Sequence, residues 1–259
     1  MNRIDRLFAE KREGILSIYM TAGYPQLSDT VKILQALQES GAHMVEIGIP
    51  FSDPLADGPV IQQSSQVALS NGISLELLFS QLQEIRQSVT IPLVLMGYLN
   101  PVLQFGMEQF LKRCRETGID GVILPDLPPD EYETQYKAMF DHHGVHHILL
   151  VTPHTSEERI GQIARLSGGF LYLVADSSTT GARSSVKKHQ LDYFRRIEAM
   201  NLELPTLVGF GISSHETFMA ACKHARGAII GSAFIEMLSE EGSMEEKIGR
   251  FVRAIRTRG

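Results

Sequence analysis

The chain has no tryptophan, and that absence alone carries little functional weight. Other shortages exclude more. There are only two cysteines, Cys114 and Cys222, each isolated within a helical pattern. That excludes a disulfide-stapled scaffold and leaves the expectation of two free, buried thiols in a reducing cytoplasm. Basic residues are in the minority: 24 Lys and Arg against 30 Asp and Glu give a net charge of -6, without the basic face that a nucleic-acid surface requires. No apolar run approaches membrane-spanning length. The stretch from Met1 to Gly14 is charged, carries Asp5, Glu10 and Glu13, and lacks the apolar segment of a signal peptide. A cytoplasmic location is therefore expected. No low-complexity linker interrupts the chain, so residues 1–259 are expected to form a single catalytic domain.

What the chain does contain is a regular alternation. Eight short apolar runs recur: Ile15–Ala22, Met44–Ile49, Leu93–Tyr98, Gly121–Pro125, Ile148–Thr152, Phe170–Ala175, Thr206–Phe210 and Ala228–Gly231. Stretches of helical spacing lie between most of them. Val31, Leu34 and Leu37 run to a stop at Gly41. Leu75, Leu78, Leu82 and Ile85 are entered through Ser74. Phe110, Leu111 and Cys114 run to Gly118, and Ile160, Ile163 and Leu166 run to Gly168. Ser214 opens a further helix, with Glu216 one position short of a capping box. Ile248, Phe251, Val252 and Ile255 form an amphipathic last helix with a basic outer face. Strands alternating with helices imply βαβ units and a parallel sheet. Eight units in a chain of this length point to an α/β fold, a (β/α)8 TIM barrel with a short N-terminal extra helix. The open-sheet alternative would want G-x-G-x-x-G after the first strand, where Thr21-Ala22-Gly23-Tyr24-Pro25 stands instead.

One strand carries an anomaly. Glu46 sits in the β-branched run Val45 to Ile49, where a strand packed on both sides should be apolar. An ionised carboxylate there is costly unless something uses or pairs it. Asp57 follows eleven residues later, in a loop with Pro50, Pro54 and Pro59. A carboxyl group on a rigid strand and a second on the loop that follows suit acid–base chemistry on a bound substrate. Pairing of Glu46 with a barrel lysine or arginine is the structural alternative.

The last strands carry a different signal. Gly209-Phe210-Gly211 ends the seventh run and Gly231-Ser232 ends the eighth, while Thr180-Gly181 follows the sixth. Glycines there let backbone N–H groups approach an anion, and a helix opened by Ser232 would add its N-terminus, the usual phosphate site of such barrels. Tight turns alone would also explain each glycine. A substrate phosphate held there would leave the reacting part near Glu46 and Asp57. Tyr19, Met96, Tyr98, Leu124, Tyr172 and Phe210 would surround a flat apolar group, although ordinary barrel core explains each of them singly.

The segment Phe51-Ser52-Asp53-Pro54-Leu55-Ala56-Asp57-Gly58-Pro59, preceded by Glu46, resembles the signature of the tryptophan synthase α subunit family. The resemblance continues through Leu95-Met96-Gly97-Tyr98-Leu99-Asn100-Pro101, Pro125-Asp126-Leu127-Pro128 and Gly209-Phe210-Gly211-Ile212-Ser213, and covers essentially the whole chain. It implies a barrel lyase that cleaves indole-3-glycerol phosphate to indole and glyceraldehyde 3-phosphate, with no metal and no cofactor of its own. The implied partner is a β subunit carrying pyridoxal phosphate, in an αββα heterotetramer. Carried over by position, Glu46 becomes the acid–base residue and Asp57 the carboxylate at the indole nitrogen. Asp53 and Asp126 fall in loops that face the β partner, although turn chemistry explains both equally. One departure stands out. The loop after the sixth strand reads Asp176-Ser177-Ser178-Thr179-Thr180-Gly181, where a common family version has Ser-Arg and then Gly-Val-Thr-Gly. In the family this loop closes over the substrate and orders the aspartate through the threonine.

Three other readings remain open at this stage: an isomerase of the same phosphate-binding barrel group, a non-catalytic regulator of a β subunit, and a stand-alone indole-releasing enzyme. The first would need other acids or a cysteine at the strand ends. His142, His143, His146 and His147 resemble a metal cluster but flank Gly144 with no cysteine or acid at ligand spacing, so a solvated turn is expected there.

Overall fold

The computed structural model describes residues 1–54, 57–174, 188–209 and 211–257. Nine strand segments, all parallel, form one sheet: β1 Ile15–Thr21, β2 Met44–Gly48, β3 Leu93–Met96, β4 Gly121–Ile123, β5 His146–His147, β6 Leu150–Val151, β7 Leu171–Val174, β8 Thr206–Gly209 and β9 Gly227–Ile230. The order runs β5-β4-β3-β2-β1-β9-β8-β7-β6. The two edges of that sheet are separated by Ile148 and Leu149 alone. Ile148 donates its N–H to Val122 on the β4 side, and Leu149 accepts from Tyr172 on the β7 side. β5 and β6 are thus two halves of one strand, bonded to β4 through one half and to β7 through the other. The sheet closes on itself as an eight-stranded (β/α)8 barrel.

Side-chain parity divides the core in two. Ile15, Met44, Val94, Ile123, Ile148, Tyr172, Leu207 and Ile229 form one buried cluster and point into the barrel. The alternate positions, such as Leu16, Ile18, Val45, Ile47, Leu95 and Val122, join the larger cluster beneath the helices. This is the alternation expected of a closed sheet covered on its outside. The N-terminal helix Arg3–Glu10, capped by the Asn2 side chain, lies across the N-terminal end of the barrel. Its Ile4 is fully buried in the inner cluster and Phe8 meets Phe170 at 5.9 Å between ring centroids.

Several of the expected helices form where their stops and caps predict, but the run entered at Ser74 stops at Gln81, with Ile85 in a separate 3-10 turn, and Glu157–Leu166 ends at Ser167 rather than at Gly168. Asp29–Ser40 ends at Gly41 and Met107–Thr117 ends at Gly118, both glycines in the left-handed region. Ser74 caps Leu75–Gln81. Two further expectations need correction. The fifth strand begins at His146, two residues before the apolar run, because the outward His147 packs on Tyr132 and Phe140 instead of meeting water. The helix after Ser214, His215–Cys222, does carry a capping box, completed by Thr217 rather than by a glutamate. Among the described residues no helix is long and apolar enough to cross a membrane.

Candidate active site

Glu46 lies in the middle of β2, with Tyr19 of β1 and Val94 of β3 as its register partners. Parity turns all three side chains into the barrel. Glu46 is fully buried, and the Ser17 hydroxyl donates to its Oε1 at 3.4 Å. Oε2 is buried with no hydrogen-bond partner among the described residues. No lysine or arginine pairs with this carboxyl among the described ion pairs, so the structural alternative of a barrel salt bridge is not met. Burial pushes the Glu46 pKa up to about 8, against a small opposing effect of the Ser17 hydrogen bond. The group is therefore a neutral acid at neutral pH, with one oxygen left for a ligand.

Asp57 is positioned by a helix start. Gly58 is the N-cap and Pro59 the first residue of the helix Pro59–Ser70, a favoured arrangement because proline there sacrifices no hydrogen bond. Pro59 thus belongs to the helix rather than to the loop. Gln62, one turn in, donates its amide to the carbonyl of Asp57 at 2.8 Å and to that of Pro54 at 3.4 Å, which ties the loop down. The carboxylate Oδ2 accepts from the Tyr98 hydroxyl at 3.2 Å. Burial raises the Asp57 pKa, and the Tyr98 hydrogen bond pulls it back. The Tyr98 ring packs on Phe51, with centroids 5.2 Å apart.

Two further tyrosines reach the same region. Tyr19 and Tyr172 both feel Glu46 and Asp57 electrostatically, and burial holds both phenols neutral. Each has a glycine on a neighbouring strand that makes room for it. A Cβ at position 48 would fall on the Tyr19 hydroxyl, and one at position 209 on the Tyr172 hydroxyl. Met96, half-buried at the end of β3, completes the inward set. The structure thus brings Tyr19, Met96, Tyr98 and Tyr172 to the two acids. Leu124 is buried and belongs to the outer cluster. A separate hollow of about 320 Å³, lined in part by Pro50, Leu75 and Phe105, lies among the outer helices and contains neither acid.

The other end of the site is only partly described. Thr180, Gly181 and Phe210 lie outside the described residues, as do Leu55, Ala56 and the departure at Asp176. Gly211 has φ +76° and an open surface above it. The backbone N–H groups of Ser213 and Ser214 both donate to the Thr217 hydroxyl, at 3.1 and 3.0 Å, and are occupied. Gly231 is the N-cap of the helix Ser232–Leu238 and no side chain caps that end. Ser232 is the first helical residue and is exposed.

Asp53 and Asp126 are both exposed. Asp53 accepts from the Ser52 hydroxyl at 2.7 Å. Both oxygens of Asp126 accept from the N–H of Leu99, at 2.9 and 3.0 Å, which caps the helix Leu99–Phe105 from the next loop. The histidine group is not a solvated turn throughout. His143 and His147 are buried, the latter with both ring nitrogens unpartnered among the described residues, while His146 contacts Asp5 at 2.8 Å. Their aromatic surroundings supply the burial that polarity alone did not foretell. Among the described residues no group of three or more His, Cys, Asp or Glu side chains is placed to hold a metal ion. The residues that sequence reasoning missed are small: Ser17, Thr21 and Gly48 on the strands and Ser64 on the helix Pro59–Ser70. For Ser17 and Thr21 the signal was a polar residue at an inward strand position; Gly48 and Ser64 carried none.

Comparison with known proteins matches residues 5–256 to the family described as tryptophan synthase alpha chain. The chain is 54% identical over 256 residues to the tryptophan synthase alpha chain of Parabacteroides distasonis, covering 99% of this chain and all of that one. It is 56% identical, over the same shares, to that of Flavobacterium johnsoniae. Among solved structures, tryptophan synthase subunit alpha from Legionella pneumophila is similar with a TM-score of 0.89 at 36% identity, over 99% of this chain and 97% of that one. A chain of the tryptophan synthase complex from Pyrococcus furiosus matches with a TM-score of 0.86 at 34% identity, over 95% and 98%.

Proposed function

The chain belongs to the tryptophan synthase alpha chain family, and from that premise we propose that Glu46 and Asp57 carry the family's reaction, with residues 1–259 as one catalytic domain. The reaction is the retro-aldol cleavage of indole-3-glycerol phosphate to indole and glyceraldehyde 3-phosphate, in the last steps of tryptophan biosynthesis. The partner is the tryptophan synthase β subunit, in the αββα heterotetramer, and pyridoxal phosphate belongs to that partner. In our reading the α chain itself uses no cofactor and no metal. Its two cysteines are unpaired, which suits a reducing cytoplasm.

The observation that carries the assignment is Glu46, a fully buried acid with one unpartnered oxygen and a pKa raised to about 8. Such a group begins the cycle protonated. It delivers its proton to indole C3, and positive charge builds at the indole nitrogen. Asp57, held by Tyr98 and aimed at the same pocket, accepts the N–H hydrogen bond and stabilises that charge. The Glu46 carboxylate then takes the proton of the side-chain hydroxyl. As the aldehyde forms, the bond from C3 to the side chain breaks and its electrons restore the indole ring. Glu46 ends protonated, ready for another turn. Tyr19, Met96, Tyr98 and Tyr172 would line the indole, with Phe210 beside them by position. Gly211, Gly231, Ser232, Thr180 and Gly181 would hold the phosphate. The uncapped end of the helix Ser232–Leu238 supports this placement. Asp53 and Asp126 stand as candidates for the β contact, being exposed on the loops after β2 and β4.

The test is indole release from indole-3-glycerol phosphate by the purified chain, alone and with a β subunit, beside Glu46→Gln. Release that disappears in the variant is expected, and release that rises with β would show coupling between the subunits. A folded Glu46→Gln chain that still releases indole at the wild-type rate would overturn the assignment.

A further inference from the structure

Serine is out of place at position 17. The inward positions around it are apolar or line the pocket: Ile15 and Tyr19 flank it on β1, and Met44 of β2 and Ile229 of β9 are its register partners. Ser17 is fully buried. A buried hydroxyl costs free energy unless it is hydrogen-bonded. Its partner is Oε1 of Glu46, two residues beyond Met44 on β2, at 3.4 Å. Among the described residues Oε2 of the same carboxyl has no partner. The two oxygens of the acid are therefore not equivalent. One is tied to the neighbouring strand and the other is left for a ligand.

The direction of this bond follows from what each group can give. An ionised carboxylate only accepts, so in that form Ser17 is the donor. In the acid form one oxygen is a carbonyl and the other a hydroxyl. Were Oε1 the hydroxyl, donating to Ser17, the serine proton would have no acceptor among the described residues and Oε2 would have no donor. With Ser17 donating, Oε1 is the carbonyl and the acid proton sits on Oε2. We infer that Ser17 is a positioning residue that holds Oε1 in both states of Glu46 and so confines proton transfer to Oε2. The inference rests on the reading of Glu46 as the acid–base residue and adds which of its atoms exchanges the proton. Oε2 gives its proton to indole C3, which gains a C–H bond, and Glu46 is left ionised. The hydroxyl to be deprotonated next is carried by the carbon bonded to C3, so one oxygen serves both positions with a small shift. That hydroxyl proton passes to Oε2, the bond from C3 to the side chain breaks, its electron pair returns to the ring, and the aldehyde forms. Ser17 donates to Oε1 throughout and stabilises the carboxylate between the two transfers. The titratable groups that share the pocket are Tyr19 on β1, Tyr172 on β7 and Asp57 on the loop after β2, and burial holds both phenols neutral. The Ser17 bond opposes the effect of burial on Glu46.

The experiment compares Ser17→Ala, Ser17→Val, Ser17→Thr and Glu46→Gln in the complex with the β subunit. Valine and threonine have the same shape, so the effect of the added methyl groups on packing is common to both and the hydroxyl alone differs. Thermal unfolding of each variant controls for folding. In Ser17→Ala, kcat for indole-3-glycerol phosphate is expected to fall by roughly 3- to 10-fold, the loss expected for one hydrogen bond, and Ser17→Val should fall below Ser17→Thr by the same factor. KM should stay within about twofold, because Ser17 does not touch the substrate. The alkaline limb of the kcat/KM profile should move to higher pH in Ser17→Ala and Ser17→Val, because the lost donor favoured the ionised carboxyl, and should stay in place in Ser17→Thr. Infrared titration reads the atom itself. The carbonyl stretch of protonated Glu46, identified by its loss in Glu46→Gln, should rise in frequency in Ser17→Ala. A Ser17→Val chain that matches Ser17→Thr in kcat and in its alkaline limb, or a carbonyl band that stays unmoved in Ser17→Ala, would overturn the inference. Wild-type turnover by Glu46→Gln would instead overturn the active-site reading beneath it, so the two failures are told apart.

Discussion

The Tyr98 hydroxyl donates to Oδ2 of Asp57 at 3.2 Å, joining the loop after β2 to the loop after β3. The bond favours the charged carboxylate and lowers a pKa that burial has raised. Tyr98→Phe removes the donor and little else, since the ring still packs on Phe51. A hydrogen bond to a charged group is worth about 1.5–3 kcal/mol, so kcat/KM for indole release should fall by roughly tenfold or more. The acidic limb of the pH profile should move to higher pH as Asp57 holds its proton more tightly. A profile that does not move would mean that Asp57 draws its ionisation from elsewhere.

Glu46 sets the opposite limb. Its acid form is required at the first step, so kcat/KM should decline as pH rises through about 8. The same shift affects stability. The folded-state pKa lies above the ordinary 4.5, so between those values the folded chain binds more protons than the unfolded one. The favourable contribution is complete below 4.5 and is lost as pH rises towards 8. His147 runs the other way: burial lowers its pKa from 6.5 to about 3, so its contribution is full above 6.5 and is lost as pH falls towards 3. Urea unfolding across pH should therefore show Glu46→Gln flattening the decline between pH 4.5 and 8 and leaving the loss below pH 4.5 unchanged. A decline between pH 4.5 and 8 that survives in Glu46→Gln would assign it to another group.

Gly48 is a packing requirement of the pocket. Its backbone is extended rather than left-handed, so alanine is allowed by conformation and refused by space, because the new methyl group meets the Tyr19 hydroxyl and ring. Overpacking of this kind costs about 1–3 kcal/mol. Gly48→Ala should lose both stability and turnover. Combined with Tyr19→Ala, it should cost less stability than the sum of the two, while turnover stays low. Full additivity would mean that the two residues do not meet.

The sequence disclosed the skeleton and the acids for different reasons. Strands buried on both faces leave unbroken apolar runs, so all eight barrel strands were visible by composition, and Gly41 and Gly118 marked two of the helix ends. A charge in such a run is conspicuous, which is why Glu46 stood out. His146 and His147 hid the start of the fifth strand, because what buries His147 is Tyr132 and Phe140, neither of them adjacent to it in sequence. The same limit applies to the pocket. Tyr98 was legible as a lining residue, but its bond to Asp57 spans 41 positions. Thr21 and Ser64 are unremarkable letters until the barrel brings them to 2.7 Å. Parity tells which way a side chain points, and only tertiary contact tells what it meets.

Asp126 separates two roles by experiment. Its carboxylate grips the N–H of Leu99 with both oxygens, which caps the helix Leu99–Phe105 and ties the loop after β4 to the loop after β3. A side-chain cap replaced by alanine costs about 0.5–2 kcal/mol. Asp126→Ala should therefore lower the unfolding free energy of the isolated chain by that amount, and Asp126→Asn, which keeps an acceptor, should recover most of it. Affinity for the β subunit, measured on both variants by titration, then reads the second role. Weakened binding in Asp126→Asn despite recovered stability is the result expected of a residue that also meets the partner, because only the charge has changed. Affinity that follows stability in both variants would make Asp126 a helix cap alone and leave Asp53 as the candidate for the contact. The cap and the contact are compatible: fixing Leu99 also fixes Tyr98 beside it, so a partner pressing on Asp126 would act one residue away from the group that holds Asp57.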